Sequence, residues 1–120
     1  MARNVAVIVS EILEAIDVIR EALGNMPFGQ FQTARVQRLA VQRAVEIISE
    51  AARHLPVELL DRHPTTDWRG IKAIGNILRH AYHDVNDKLI WDVVTLDLPL
   101  LEAIMRSELS GADRPADGSQ

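Results

Sequence analysis

The chain contains no cysteine. That excludes disulfides, cysteine-ligated zinc, iron–sulfur clusters and thiol nucleophiles. Aromatic residues are scarce: Phe28, Phe31, Trp68, Tyr82 and Trp91 are all there are. A core must therefore be built from Leu, Ile, Val and Ala. No apolar run approaches the ~20 residues that a membrane span requires. Met1 to Ser10 lacks a charged region followed by a small-residue cleavage site, so no signal peptide is read and a cytoplasmic location is expected. Strand-like alternation and internal repeats are also missing. So are a Gly-rich phosphate loop, a Ser-His-Asp arrangement and a dinucleotide fingerprint.

What is there is an ordinary globular composition of 120 residues, 48% hydrophobic and 25% charged, a length that suits a single domain. The net charge of −4 taken alone argues against a nucleic-acid partner. Its distribution argues otherwise. Residues 1–34 balance to −2 and residues 80–120 to −5, whereas residues 35–79 carry +3. The middle of the chain is basic between acidic ends.

Apolar spacing gives the fold class. Val5, Ile8, Ile12, Ile16, Ile19 and Leu23 recur every three or four residues, as on one face of a helix that Gly24-Asn25 would stop. Met26 to Gln32 reads as a connection. A second helix is expected from about Gln32 to Leu55, its buried stripe being Val41, Ala44, Val45, Ile48, Ala52 and Leu55. Pro56 suits the first turn of a short helix over residues 56–62, and His63 to Thr66 reads as a loop. Asp67 is a plausible N-cap for a helix starting near Trp68, whose apolar face is Trp68, Ile71, Ile74, Leu78, Ala81 and Tyr82. Asp84 to Asp87 would end that helix. A last helix is expected over residues 87–109, kinked at Pro99, which lacks a donor and crowds the Thr95 carbonyl. The expectation is an all-α, antiparallel bundle of four main helices plus a short one over residues 1–109, followed by a polar, disordered tail over residues 110–120.

The polar face of the Trp68 helix carries the chemistry. Arg69, Lys72, Asn76, Arg79, His80 and His83 recur at helical spacing. Asn76 and His80 are i and i+4, as are Arg79 and His83, so each pair is adjacent on the surface. A cation, an amide and two imidazoles within two turns match the needs of RNA cleavage through the 2′-hydroxyl. A base removes the 2′-hydroxyl proton, an acid protonates the leaving oxygen, and a cation stabilises the phosphorane. Histidine serves either proton transfer near neutral pH, without a metal. The bland alternative is a solvated basic face. His80 and His83, at i and i+3, with Asp84 and Asp87 following, also offer half of a metal site, though without the pattern of a zinc protease. On the second helix Arg35, Arg38, Arg43, Arg53 and His54 would steer a phosphate backbone or, more simply, pair with nearby acids. Glu46 and Glu50 read as partners of arginines across the bundle.

The segment GNILRHAY, Gly75 to Tyr82, carries a resemblance. Together with ILEAIDVIREAL, AVEIISEAARHLPVELLDRHP, DWRGIKAIGNILRHAYHDVN and KLIWDVVTLDLPLLEAI, in that order, it resembles the HepT-like proteins of the HEPN superfamily, over about residues 3–109. These are small all-α toxins of toxin–antitoxin pairs. Their motif is an Arg, then four to six residues, then His, then one residue and Tyr. Asn76, His80 and Tyr82 match it, and the motif Arg falls at Gly75. The resemblance implies a metal-independent endoribonuclease without cofactor, a homodimer with two motifs facing each other across a cleft, and an RNA substrate. It also implies a minimal nucleotidyltransferase antitoxin that adds AMP to Tyr82, placing bulky anions beside His80. On the matched positions this makes His80 the acid/base and Asn76 a positioning donor; Arg69, Lys72 and His83, from the polar face of the same helix, are read as RNA contacts.

Helix geometry suggests what stands in for the missing Arg. Positions 75 and 79 are i and i+4, about 40° apart around the axis, so Arg79 leaves from nearly the same face one turn later. The other readings are an inactive HepT-like protein acting as the binding subunit of a nucleotidyltransferase, and a purely structural dimeric bundle. A chain this short and poor in aromatics encloses no large pocket alone, so a site shared between two copies is expected.

Overall fold

The computed structural model describes residues 4–80 and 83–112, without the side chains of residues 83–85 and 112. All regular structure among them is helical. In chain order the elements are α1 (Val5–Leu23), α2 (Phe28–Thr33), α3 (Arg35–Ala52), α4 (Val57–Asp61), α5 (Trp68–His80), α6 (His83–Asp92), a π-helical turn (Val93–Asp97) and α7 (Leu98–Ala112). The expected all-α bundle of four main helices with shorter ones is what the chain forms.

Each boundary has a local cause. α1 begins at Asn4, whose side-chain oxygen accepts from the backbone N–H groups of Ala6 and Val7, a cap absent from the sequence reading. It ends at Gly24, which takes φ +51°, a conformation costly for a residue with a Cβ. The long second helix expected from Gln32 is in fact two. The stretch read as a connection contains α2, and the chain bends at Ala34 (φ −86°, ψ 82°) before α3 starts. Phe31 is the reason. It is fully buried and, with Phe28, packs on Trp91, both ring centroids 5.4 Å away. Anchoring these rings in the core outweighs continuing one straight helix. Pro56 stands just before α4 as its N-cap, and the Asp67 carboxylate accepts from the Gly70 N–H at 3.0 Å at the start of α5.

The last helix differs from expectation in form. Pro99 does bring an irregularity, but it is a π-helical turn over Val93–Asp97, with the Leu98 N–H bonding the Val93 carbonyl. The wider turn absorbs the register change next to a residue that cannot donate. Ser110, Gly111 and Ala112 belong to α7, whereas the rest of the expected tail lies outside the described residues.

α1 packs on α3 and α7, and α3 packs on α5, so α3 is the central helix. Ile8, Ile12, Ile16 and Ile19 of α1, Val41, Val45 and Ile48 of α3, Leu78 of α5, Ile90 of α6 and Leu101 and Met105 of α7 form one buried cluster. At ~25 cal/mol per Å², each such side chain contributes ~1.5–3 kcal/mol when taken from water. Polar ties close the periphery. Trp68 Nε1 donates to the carbonyls of Leu60 and His63. The Arg20 guanidinium bonds Glu102. Arg62 and His63 both bond Glu108, at 2.6 and 2.7 Å.

Candidate RNA-cleavage site

The expected site helix is α5. Trp68, Ile74 and Leu78 face the core, and the residue buried between them is Gly75. Here α3 and α5 approach each other closely. The Ser49 hydroxyl, itself only 2% exposed, donates to the Lys72 carbonyl at 2.9 Å and accepts from the Gly75 N–H at 3.1 Å. A Cβ on Gly75 would stand 3.1 Å from both Cβ and Oγ of Ser49. The glycine at the motif's Arg position therefore has a packing reason: it lets the central helix sit against the site helix.

Along the outer side of this contact runs a cleft of about 420 Å³ between α1, α3 and α5. Gly75, Asn76 and Arg79 form its α5 wall, with Arg53, Glu46 and Glu50 facing them from α3. Asn76, Arg79 and His80 are all exposed, and among the described residues neither Arg79 nor His80 forms a side-chain hydrogen bond or ion pair. Two uncommitted donors and an imidazole at one helix end suit an anionic ligand that itself brings the missing acceptors. His80 adjoins the cleft at the end of α5 without lining it, and Arg69 stands a helix length away at the other end. Lys72 is half-buried, its carbonyl occupied by α3. The structure thus brings Asn76 and Arg79 to one cleft and leaves Arg69 apart from it. Tyr82 lies outside the described residues. His83 opens α6, but its side chain also lies outside the description.

The other polar residues sort into pairs. Along α3 and the turn that follows it, Arg43 bonds Glu46 and both Arg53 and His54 approach Glu50. The glutamates expected to reach arginines across the bundle are in fact met within their own helix, where i, i+3 and i, i+4 spacing makes the shorter path. Arg38 does cross, its Nε 3.0 Å from the carboxylate of Asp87, which is 2% exposed. Asp87 is therefore a buried partner of α3. The neighbouring Asn86 caps the end of α5: its amide donates to the Leu78 carbonyl at 2.9 Å, while its buried Oδ1 finds no partner among the described residues. Asn86 thereby fixes the last turn of α5, two residues before His80. Among the described residues no group of three or more His, Asp or Glu is placed to hold a metal ion.

Away from the cleft, two carboxylates are electrostatically set. The Arg20 guanidinium, with Arg106 assisting against partial desolvation, holds Glu102 down from 4.5 to about 2. Hydrogen bonding from Arg62, and then from His63, holds Glu108 below the usual carboxylate range. Both tie α7 to the rest of the bundle. Asp97 moves the other way, pushed up by burial and by the nearby carboxylates of Asp67 and Asp92.

The chain is thus a small all-α bundle whose site helix ends in Asn76, Arg79 and His80 beside a cleft, and comparison with known proteins gives its family. The model of the family described as ribonuclease HepT-like matches residues 12–108, and the chain belongs to that family. A probable ribonuclease HepT of Thermococcus cleftensis is 35% identical over 92 residues, covering 77% of this chain and 84% of that one. Two proteins of Methanocaldococcus jannaschii named as candidate RNases are each 30% identical. One is matched over 97 residues, 81% of this chain and 80% of the relative. The other is matched over 100 residues, 83% of this chain and 92% of the relative. None of the solved structures matches the chain.

Ser49 and Asn86 were missed by sequence reasoning. Ser49 did leave a signal: it is a polar residue on the inner side of α3, next to Ile48 and one turn before Ala52. Asn86 left none, because its role depends on where α6 places it relative to the end of α5.

Proposed function

We propose that the chain is the toxin of a toxin–antitoxin pair, a homodimeric endoribonuclease that needs no metal ion. The observation that carries this reading is the exposed, uncommitted set Asn76, Arg79 and His80 at the end of α5, beside an open cleft, in a chain of the HepT-like ribonuclease family. In the reaction His80 takes the proton from a ribose 2′-hydroxyl or gives one to the departing 5′-oxygen, and a dimer supplies two such imidazoles for the two transfers. The 2′-oxygen bonds to phosphorus as the bond to the 5′-oxygen breaks, leaving a cyclic phosphate and a free 5′-hydroxyl. Arg79 stabilises the charge that develops on the phosphorane, standing in for the Arg that Gly75 replaces. Asn76 donates to a phosphate or ribose oxygen, and Arg69, Lys72 and His83 extend the contact along the strand. Tyr82 is the acceptor of AMP from a nucleotidyltransferase antitoxin. The protein acts in the cytoplasm.

Induced expression of the parent, His80→Ala and Arg79→Ala, with growth and RNA integrity followed, tests this. The parent should arrest growth and degrade RNA, and both variants should lose these effects. Toxicity and cleavage in Arg79→Ala equal to the parent would sink that residue's role. Gly75 supports one other reading, a binding subunit for a nucleotidyltransferase without catalysis. That protein would cleave nothing yet co-purify with the transferase. Tyr82→Phe should abolish AMP addition, and AMP mass persisting in that variant would refute the modification site.

A further inference from the structure

The close approach at Gly75 has a neighbour one turn further along the central helix. Ser49 on α3 and Arg53, which caps the C-terminus of that helix, are i and i+4, so both side chains point at the same turn of α5. Both end on the same atom: the Lys72 carbonyl accepts from Ser49 Oγ at 2.9 Å and from Arg53 Nε at 3.2 Å. A side chain at position 75 would push α3 away at Ser49 and lift Arg53 off α5 with it. The glycine that removes the motif's own guanidinium therefore draws in another.

Arg53 lines the same cleft as Gly75, Asn76 and Arg79. Its Nε is committed to Lys72, which orients the guanidinium and leaves the terminal N–H groups without a hydrogen bond among the described residues. The acids of the α3 wall are engaged elsewhere. Glu46 is held by Arg43 at 3.4 Å and Gln42 at 3.3 Å. Glu50 is held by His54 at 3.3 Å. Glu50 approaches Arg53 only to 3.9 Å, beyond hydrogen-bond length, and is the sole carboxylate within 4 Å of it among the described residues. Glu11 and Glu14 belong to the α1 wall, so a strand entering the cleft meets its cations on the α3–α5 side.

We propose that Arg53 is a phosphate-binding residue of this cleft, its guanidinium supplied from α3 in place of the side chain that Gly75 lacks. The inference rests on the ribonuclease reading above and adds a second cation to it. Arg53 and Arg79, from two helices, grip the non-bridging oxygens of one phosphodiester. A guanidinium fork matches two such oxygens at once, and the Lys72 anchor removes rotamer freedom before the ligand arrives, which lowers the entropic cost of binding.

The simpler alternative is that Arg53 only ties α3 to α5. Salt dependence separates the two, because a structural tie does not release counterions. The probe is a fluorescein-labelled, fully 2′-O-methylated single-stranded oligoribonucleotide of mixed sequence, which cannot be cleaved, with anisotropy followed as salt is varied. Arg53→Ala should weaken binding about tenfold, the worth of one charge-assisted contact, and lower the slope of log affinity against log salt by about 0.7. Arg53→Lys should keep the slope. Arg53→Gln, which retains a donor for the Lys72 carbonyl and therefore the fold, should lose it as Ala does. Lys88→Ala, an exposed charge on α6 that does not line the cleft, controls for net charge. Circular dichroism confirms that each variant is folded. Slope and affinity of Arg53→Gln equal to those of Lys88→Ala, in a protein whose RNA cleavage still depends on His80, would overturn the Arg53 assignment alone. A folded parent that fails to bind the probe would overturn the RNA reading and the Arg53 assignment together.

Discussion

Gly75→Ala is the most informative perturbation of the bundle, because two opposed effects meet there and the geometry decides between them. In an exposed helix interior the change would stabilise by up to about 1 kcal/mol, since Ala is the better helix former. At position 75 the new methyl stands 3.1 Å from Cβ and Oγ of Ser49. Neither atom moves freely: Ser49 Cβ is fixed to the α3 backbone, and Oγ is held by the Lys72 carbonyl and the Gly75 N–H. Either the helices separate by a few tenths of an ångström or the serine rotates and gives up its two bonds. Overpacking of this kind costs about 1–3 kcal/mol, and a lost buried hydrogen bond about 1 kcal/mol. The expected net effect is a destabilisation of about 1–2 kcal/mol, or about 4 °C in Tm per kcal/mol for a chain this long. Urea denaturation of the parent and of Gly75→Ala measures it. In a Ser49→Gly background both crowding atoms are gone, and the same substitution should then be neutral or stabilising. Equal or greater stability of Gly75→Ala in the parent background would refute the view that this glycine is there for helix contact.

Three further outcomes are expected. Arg38→Ala withdraws a guanidinium from the nearly buried carboxylate of Asp87 and should cost about 2 kcal/mol in urea denaturation, with Asp87→Asn recovering part of that loss in the double variant; an unchanged midpoint for Arg38→Ala would contradict the pairing. Asn86→Ala removes the cap on the Leu78 carbonyl and should raise amide hydrogen exchange in the last turn of α5 more than in α1; uniform exchange would argue against a local role. Glu102 is held from 4.5 down to about 2 by Arg20 and Arg106, so its folded pKa lies below its unfolded one. The stability it gives is complete above pH 4.5 and is lost as the pH falls toward 2, and because both arginines are more than half exposed it amounts to about 1 kcal/mol or less. Thermal melts across that window should show a shallower acid loss in Glu102→Gln than in the parent, and parallel curves would contradict this.

Apolar periodicity told much of the fold, because each long helix has one stripe facing the core. Ile8 to Leu23, Val41 to Ala52 and Trp68 to Leu78 all went where their spacing sent them. What it could not tell were departures from local pattern decided by distant contacts. The break at Ala34 follows from Phe28 and Phe31 reaching Trp91, some sixty residues on. The π-helical turn before Pro99 is one of several ways to absorb a proline, and spacing does not choose among them. At the candidate site the helical face of Asn76, Arg79 and His80 was legible because all three lie on α5. Arg53 was visible only as one of several arginines. Its link to Lys72 exists because Ser49 and Gly75 let two helices touch, a three-dimensional condition that no spacing along either helix contains.

The most direct measurement of the central claim is RNA cleavage by the purified protein in EDTA, compared with His80→Ala of equal fold and concentration. The parent should cut the RNA to products ending in a cyclic phosphate, and His80→Ala should leave it intact. Equal cleavage by both proteins, or a folded parent that leaves RNA whole, would contradict a His80-dependent, metal-independent ribonuclease.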